Sequence, residues 1–331
     1  MDTNASRPRQ TDAASGTRSA GATASAPHQF SRTPAYVALG VAVVLVLGVL
    51  FGARVVSERA GDVPVPVAPL PAPLAESAEC STLLDALPDT LIGHDRAEIA
   101  EPAPAGTAAW ASSSTERVTL RCGVDLPLQY TEYSQPVEID GVNWLVVEDA
   151  TPESTLATWY TLDRRPVVAV TADEAALGRA DNPVGALAEP VGALPTQAHQ
   201  PNPAPLSELQ AAPAPEVCAD LLPALPETLA DAWTRTGSDQ SDTAVWVNPG
   251  QEPIVLRCGV MPPPNYAAGE RLTQINEIPW FEDTALVNGS TASIWYALGR
   301  SVDIAVSAPM AAASAAMVEL GDVIAAETPE Q

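Results

Sequence analysis

The sequence predicts an α+β protein of two tandem repeats, each a short helix on a four- to five-stranded, mostly antiparallel sheet, after one N-terminal transmembrane helix. Three observations carry this expectation. "VTLRCGV" at 118–124 returns as "IVLRCGV" at 254–260, each with the period-two alternation of a half-buried strand. "CSTLLDALPDTL" from Cys80 returns as "CADLLPALPETL" from Cys218, with leucines at helical spacing. Residues 35–53, "AYVALGVAVVLVLGVLFGA", form an uncharged apolar run.

In chain order, residues 1–34 are rich in Ser, Thr, Ala and Arg and read as a disordered tail. Residues 35–56 follow as a transmembrane helix. A cleaved signal peptide starts with a short basic segment, whereas some thirty-four residues precede this run, so a retained signal anchor is the better reading. Arg7, Arg9, Arg18 and Arg32 outnumber Arg54 and Arg59, which orients the N-terminus to the cytoplasm and the rest outside. Residues 57–75 read as a proline-rich stalk.

The repeat itself starts at Cys80, matched by Cys218 at an offset of 138. From Trp110 the offset is 136, pairing Trp144 with Trp280 and "WYTLDR" from Trp159 with "WYALGR" from Trp295. A two-residue deletion between cysteine and tryptophan explains the change. The units are then 76–175 and 214–310, separated by a Pro/Ala-rich linker at 176–213 and followed by a C-terminal helix and tail at 311–331.

Within a unit, Cys80, Leu83, Leu84, Leu87 and Leu91 lie on one helical stripe, and Cys218 heads the same stripe in the second copy. Pro88 and Pro226 should end this helix, and Pro223 should shorten it in the second copy. In the strand, Val118, Leu120, Cys122 and Val124 face one way and Arg121 the other; Cys258 and Arg257 repeat the arrangement. Asp140-Gly141 between alternating runs signals a type I′ hairpin.

Two cysteines per copy, each on an apolar face, point to disulfides Cys80–Cys122 and Cys218–Cys258. The competing readings are a reactive thiolate activated by the adjacent Arg121 or Arg257, and a zinc site. No histidine recurs between copies to assist either one: His94 has no counterpart, and His28 and His199 fall in tail and linker. No metal and no cofactor is expected.

Composition narrows function further. All sixteen basic residues are arginine, which excludes a Schiff-base lysine and a lysine phosphate loop. Beyond residue 59 ten arginines face thirty-eight acids, a charge that repels nucleic acid. The sequon at Asn288 is a single short motif, and "GSDQSD" at 237–242 lacks the ligand pattern of a calcium loop.

C-x-x-L-L with L-P a few positions on, then A-W, L-R-C-G-V, the G-V-x-W hairpin and the W-Y strand resemble the actinobacterial membrane-anchored family called domain of unknown function 3515. The resemblance covers both units. It departs in that the family typically has one copy and shows A-W-G, whereas Ala111 and Val247 follow the tryptophans here, and "EIPW" replaces "GVNW" in the second copy. What it implies is a secreted or membrane-tethered envelope protein without an assigned activity.

Arg121, Arg257, Arg164 and Arg300 recur in both copies and are the candidates to meet an anion, against the alternative of salt bridges to neighbouring acids. Trp144, Trp280, Trp159 and Trp295, the last two followed by Tyr160 and Tyr296, are the candidates for a stacking surface, against the alternative of core. No nucleophile, base or metal set is duplicated. The function expected is therefore a non-catalytic, extracytoplasmic binding or assembly module of the cell envelope. Its expected partners are the membrane, envelope proteins or cell-wall fragments. The other readings are a thiol enzyme using Cys122 or Cys258, and a receptor for a peptidoglycan fragment or small anion.

Overall fold

The computed structural model describes residues 32–61, 63–151, 153–212, 216–283 and 290–331. The tail expected over 1–34 lies outside the described residues as far as residue 31, as does the Asn288 sequon. The chain divides into two compact units, residues 1–53 and 54–331. The first contributes helix α1 (Arg32–Gly61), which extends past the boundary. Its described side chains, 36–52, include Val37, Leu39, Val44, Leu47 and Phe51, all exposed. Among the described residues no helix is long and apolar enough to cross a membrane.

The second unit holds both repeats. In the first, α2 (Ala78–Ala86) is capped by the Ser77 hydroxyl, which accepts from the Cys80 N–H. Eight strands follow: β1 (Thr90–Leu91), β2 (His94–Ala97), β3 (Thr107–Ala111), β4 (Arg117–Cys122), β5 (Val137–Ile139), β6 (Val142–Glu148), β7 (Ala157–Thr161) and β8 (Val168–Ala172). They form one antiparallel sheet in the order β1-β2-β3-β4-β8-β7-β6-β5. Two short helices, α3 (Glu174–Leu177) and α4 (Ala188–Gly192), close the apolar face.

The second repeat reproduces this. Helix α5 (Val217–Ala224) precedes β9 (Thr228–Leu229), β10 (Trp233–Thr236), β11 (Thr243–Val247), β12 (Ile254–Cys258), β13 (Thr273–Ile275), β14 (Ile278–Asp283), β15 (Ala292–Ala297) and β16 (Ile304–Pro309). Their order is β13-β14-β15-β16-β12-β11-β10-β9, again antiparallel. One long helix, α6 (Met310–Glu327), replaces α3 and α4.

The sheets have eight strands, not four or five. The missed strands include the hairpins β1-β2 and β9-β10, whose two- and four-residue strands are too short to show alternation. They also correct the repeat alignment. The turn Ile92-Gly93 in the first copy becomes Ala230-Asp231-Ala232 in the second, one residue longer, and the next loop is three residues shorter, 237–242 against 98–106. The hairpin at Asp140-Gly141 is present, with φ of 49° and 79°, the left-handed pair that a type I′ turn requires. Pro223 lies inside the last turn of α5, which loses one residue relative to α2 and no more.

Helices cover one face of each sheet. In the first repeat Cys80, Leu83, Trp110, Leu120 and Trp144 pack with Leu187 and Val191. In the second, Cys218, Leu221, Trp246, Leu256 and Trp280 pack with Met317, Leu320 and Ile324. Residues 184–194, expected to be linker, are thus core of the first repeat.

The opposite faces are crossed by the proline-rich segments. Val65 and Val67, in the expected stalk, are buried against Ala109 and Ala111. In the second repeat Leu206, from the expected linker, is buried with Val245, Val255 and Tyr296. Each strap is pinned by the main chain at the glycine of L-R-C-G: Leu74 N–H donates to the Gly123 carbonyl and Ala212 N–H to the Gly259 carbonyl. The repeats also meet each other. Glu148 N–H donates to the Gly250 carbonyl at 2.8 Å, Gln251 to the Glu148 carboxylate, and Gln129 to Glu252 at 3.1 Å.

Candidate functional site

The cysteines of each copy face each other across the helix–sheet interface. Cys80 bonds Cys122 and Cys218 bonds Cys258, with Cα–Cα separations of 5.6 and 5.8 Å. All four are buried, and no described cysteine is free. Strand alternation sends the adjacent arginine through the sheet to the other face, away from the sulfur.

There the arginine meets the strap. Arg257 Nη1 donates to the carbonyls of Leu206 at 3.0 Å, Leu209 at 2.8 Å and, more weakly, Ser207, while Nε pairs with the Asp242 carboxylate at 2.9 Å. Arg121 does less: Nη2 donates to the Ala68 carbonyl at 2.9 Å, and its buried Nε has no partner. Burial pulls the Arg121 guanidinium below the ordinary arginine value, with Tyr160 acting the other way.

Arg164 and Arg300 are buried on the chain's other flank. Arg164 donates to the Gly141 carbonyl and pairs with Asp163, and its strand continues into an antiparallel bridge with Thr196. Arg300 donates to the Ala325 and Thr328 carbonyls and the Thr328 hydroxyl, beside a bridge to Glu330. Arg300 thereby ties the end of α6 to the sheet, whereas the Arg164 side chain holds the β5–β6 turn and only its main chain meets the segment that leaves the sheet. Each is held by carbonyls and acids of its own repeat, so it presents little to a ligand.

The tryptophans are scaffold as well, which corrects the stacking reading for most of them. Trp144 and Trp280 are about 1% exposed or less, and Trp280 packs in one core with Met317, Leu320 and Ile324 of α6. Trp159 is buried in the first core, and Trp295 is half-buried against the second. A ring face closed by core atoms cannot stack on a sugar. Tyr160 and Tyr296 point to the strap side, where burial raises both phenols above the ordinary tyrosine value.

A third duplicated arginine escaped the sequence reading. Arg96 lies 5.0 Å over the Trp110 ring and Arg235 5.7 Å over Trp246, and each indole donates to a proline carbonyl, Pro88 or Pro226. The inserted turn residue shifts this pair to an offset of 139, which hides it from a fixed-offset comparison. His94 is buried between the Ser112 hydroxyl and the Ala176 carbonyl, and Trp233 takes its place in the second copy. Among the described residues no three His, Cys, Asp or Glu gather as a metal-holding group.

Two of the openings among the described residues lie beside the straps. One, of about 320 Å³, lies between the repeats and is lined by Leu128, Pro205, Leu209 and Glu252, whose carboxylate is already taken by Ser290 and Thr291. The other, of about 250 Å³, lies under the first strap and is lined by Arg121, Thr107, Leu70, Pro73 and Pro104, with exposed Glu76 at its edge.

Compared with known proteins, the chain matches a family model described as a protein of unknown function, DUF3515, over residues 39–199 and again over 193–331. No curated protein and no solved structure matches it.

Proposed function

Because the chain belongs to the DUF3515 family, matching it twice in tandem, we propose that it is a non-catalytic binding or assembly module, tethered to a membrane and working outside it. One observation carries this reading. Most of the polar residues that recur in both copies are committed to the fold: cysteines to disulfides, Arg164 to the β5–β6 turn, Arg300 to the end of α6, Arg96 and Arg235 to indole rings. What duplication has kept is a scaffold that carries straps on its outer face.

Disulfides persist in oxidising compartments, which supports an extracytoplasmic address for the repeats. The tether rests on the uncharged nineteen-residue apolar run at 35–53 as the sequence reads. The partners that suit such a module are envelope proteins or cell-wall fragments.

Topology tests the reading. Single cysteines are introduced at Ser15 and at exposed Ser114, and intact cells are treated with a membrane-impermeant maleimide. Labelling of Ser114→Cys alone, with Ser15→Cys reacting only after permeabilisation, is the expected pattern. Labelling of Ser15→Cys alone in intact cells would reverse the orientation and remove the envelope assignment.

A further inference from the structure

We infer that the first repeat contains a binding site for a small carboxylate at Arg121, a site that the second repeat has closed with its own Asp242.

The two repeats supply the comparison. Asp242 and Gly106 are register equivalents: the main-chain carbonyl of each accepts the N–H of the second cysteine, Cys258 or Cys122. The Asp242 side chain reaches the guanidinium of Arg257 at 2.9 Å. In the first repeat no side chain stands there, and none fits easily. Gly106 has φ +69°, and a Cβ on it would lie 2.7 Å from the Cys122 carbonyl oxygen.

Arg121 is therefore left with one hydrogen bond, to Ala68, and among the described residues it has no ion pair. That is unusual in a chain with 41 acids and 16 arginines. A half-buried guanidinium without a counter-charge is costly, and a carboxylate beside it recovers that cost through charge-assisted hydrogen bonds. The 250 Å³ cavity lies where this carboxylate would come: Thr107, which lines it, follows Gly106 as Thr243 follows Asp242. Asp242 in the second repeat is thus an internal copy of the ligand's charged end.

The remaining walls, Leu70, Pro73 and Pro104, offer apolar surface and no cation besides Arg121. They select a monoanion with a short aliphatic group over a phosphate or a dicarboxylate. Glu76 at the edge is exposed and disfavours a second negative charge. Either a free short-chain acid or the C-terminus of a small-residue peptide has this chemistry.

This inference rests on the binding-module reading, and its test is independent of the labelling experiment, so either can fail alone. The full chain, in non-ionic detergent at low salt, is titrated calorimetrically with propionate, with N-acetyl-alanine and N-acetyl-alanyl-alanine, and with N-acetylalaninamide as the uncharged control. Saturable binding of the acids and none of the amide is expected, weakened about tenfold or more by Arg121→Gln and tightened by Glu76→Gln. Stronger binding of the acetylated acids than of propionate assigns the site to peptide termini, and the reverse to free acids. Glu76 is exposed and among the described residues its carboxylate has no hydrogen-bond partner, so its variant remains readable if Arg121→Gln is unstable. The inference is overturned if none of the acids binds, if the amide binds as well as they do, or if Glu76→Gln leaves their affinity unchanged.

Discussion

Arg257 and Asp242 form a 2.9 Å ion pair across neighbouring strands, and the guanidinium that Asp242 orients donates to three carbonyls of the strap at 206–209. The arginine next to the cysteine is the clasp that holds a proline-rich segment on the sheet. In the first repeat the same clasp is looser, because Gly106 replaces the acid and Arg121 keeps a single strap carbonyl.

The two arginines should therefore differ in stability terms. Arg257→Met removes an ion pair and three charge-assisted hydrogen bonds from a side chain 12% exposed, at a cost of about 2–4 kcal/mol. Arg121→Met removes one bond and should cost about 1 kcal/mol. Urea midpoints of the two variants, compared with the parent, measure the difference. Arg257→Lys should not rescue the loss, since an ammonium cannot address Asp242 and the carbonyls through a planar fork.

Glycine at the end of L-R-C-G is a second requirement. Gly123 has φ +85°, and a Cβ there would fall inside contact distance of the Leu74 carbonyl carbon and the Ala75 nitrogen, the main chain of the strap. Gly93 has φ +94° with nothing within 4 Å of the same position. Gly93→Ala should cost only its backbone strain, about 1–2 kcal/mol. Gly123→Ala should cost on the order of 3 kcal/mol or more, because the strap must also move. Thermal unfolding of both variants checks the order.

Each disulfide closes a loop of about forty residues, with sequence separations of 42 and 40. In the chain-entropy model each is worth roughly 4 kcal/mol. Replacing Cys80 and Cys122 together by alanine should lower stability by about that amount, measured by urea denaturation under conditions that keep Cys218–Cys258 oxidised.

The parts of this architecture that were legible from sequence are those with a strong period. The Cys80 and Cys218 stripes, the alternation around Cys122 and Cys258, and the Asp140-Gly141 turn all carry local signals. The straps carried the opposite signal, since Pro- and Ala-rich composition is what a free linker shows. Yet Val65, Val67 and Leu206 are buried, because an extended chain can lie on a sheet through a few main-chain hydrogen bonds and isolated apolar contacts. The helices at 174–192 were hidden for the same reason, with their apolar residues spread among Gly and Pro. As for the site, the duplicated arginines were visible, but not which of them had a partner. That depends on Gly106 facing Arg121 across β3 and β4, a relation between residues fifteen apart.

Acid stability offers a further check at Asp303. Burial raises its carboxyl above the ordinary carboxylate range, so the folded chain holds this proton more tightly than the unfolded chain does. Its contribution to stability is full below the unfolded value of about 3.9 and is lost as pH rises through the folded one. Asp303→Asn removes that dependence. The stability difference between variant and parent should therefore shift in favour of the variant as pH rises from below the unfolded value of about 3.9 through the raised folded one, as read from urea midpoints at each pH.

The central claim is that the arginine beside each second cysteine serves the strap, and that the sulfur it neighbours is sealed in a disulfide. Alkylation of the purified protein with and without prior reduction, followed by peptide mapping, tests this most directly. The account predicts no alkylated cysteine before reduction and linked peptides joining 80 with 122 and 218 with 258. Ready alkylation of Cys122 or Cys258 in the unreduced native protein would contradict it, and would turn the neighbouring arginine from a clasp into the activator of a reactive thiolate.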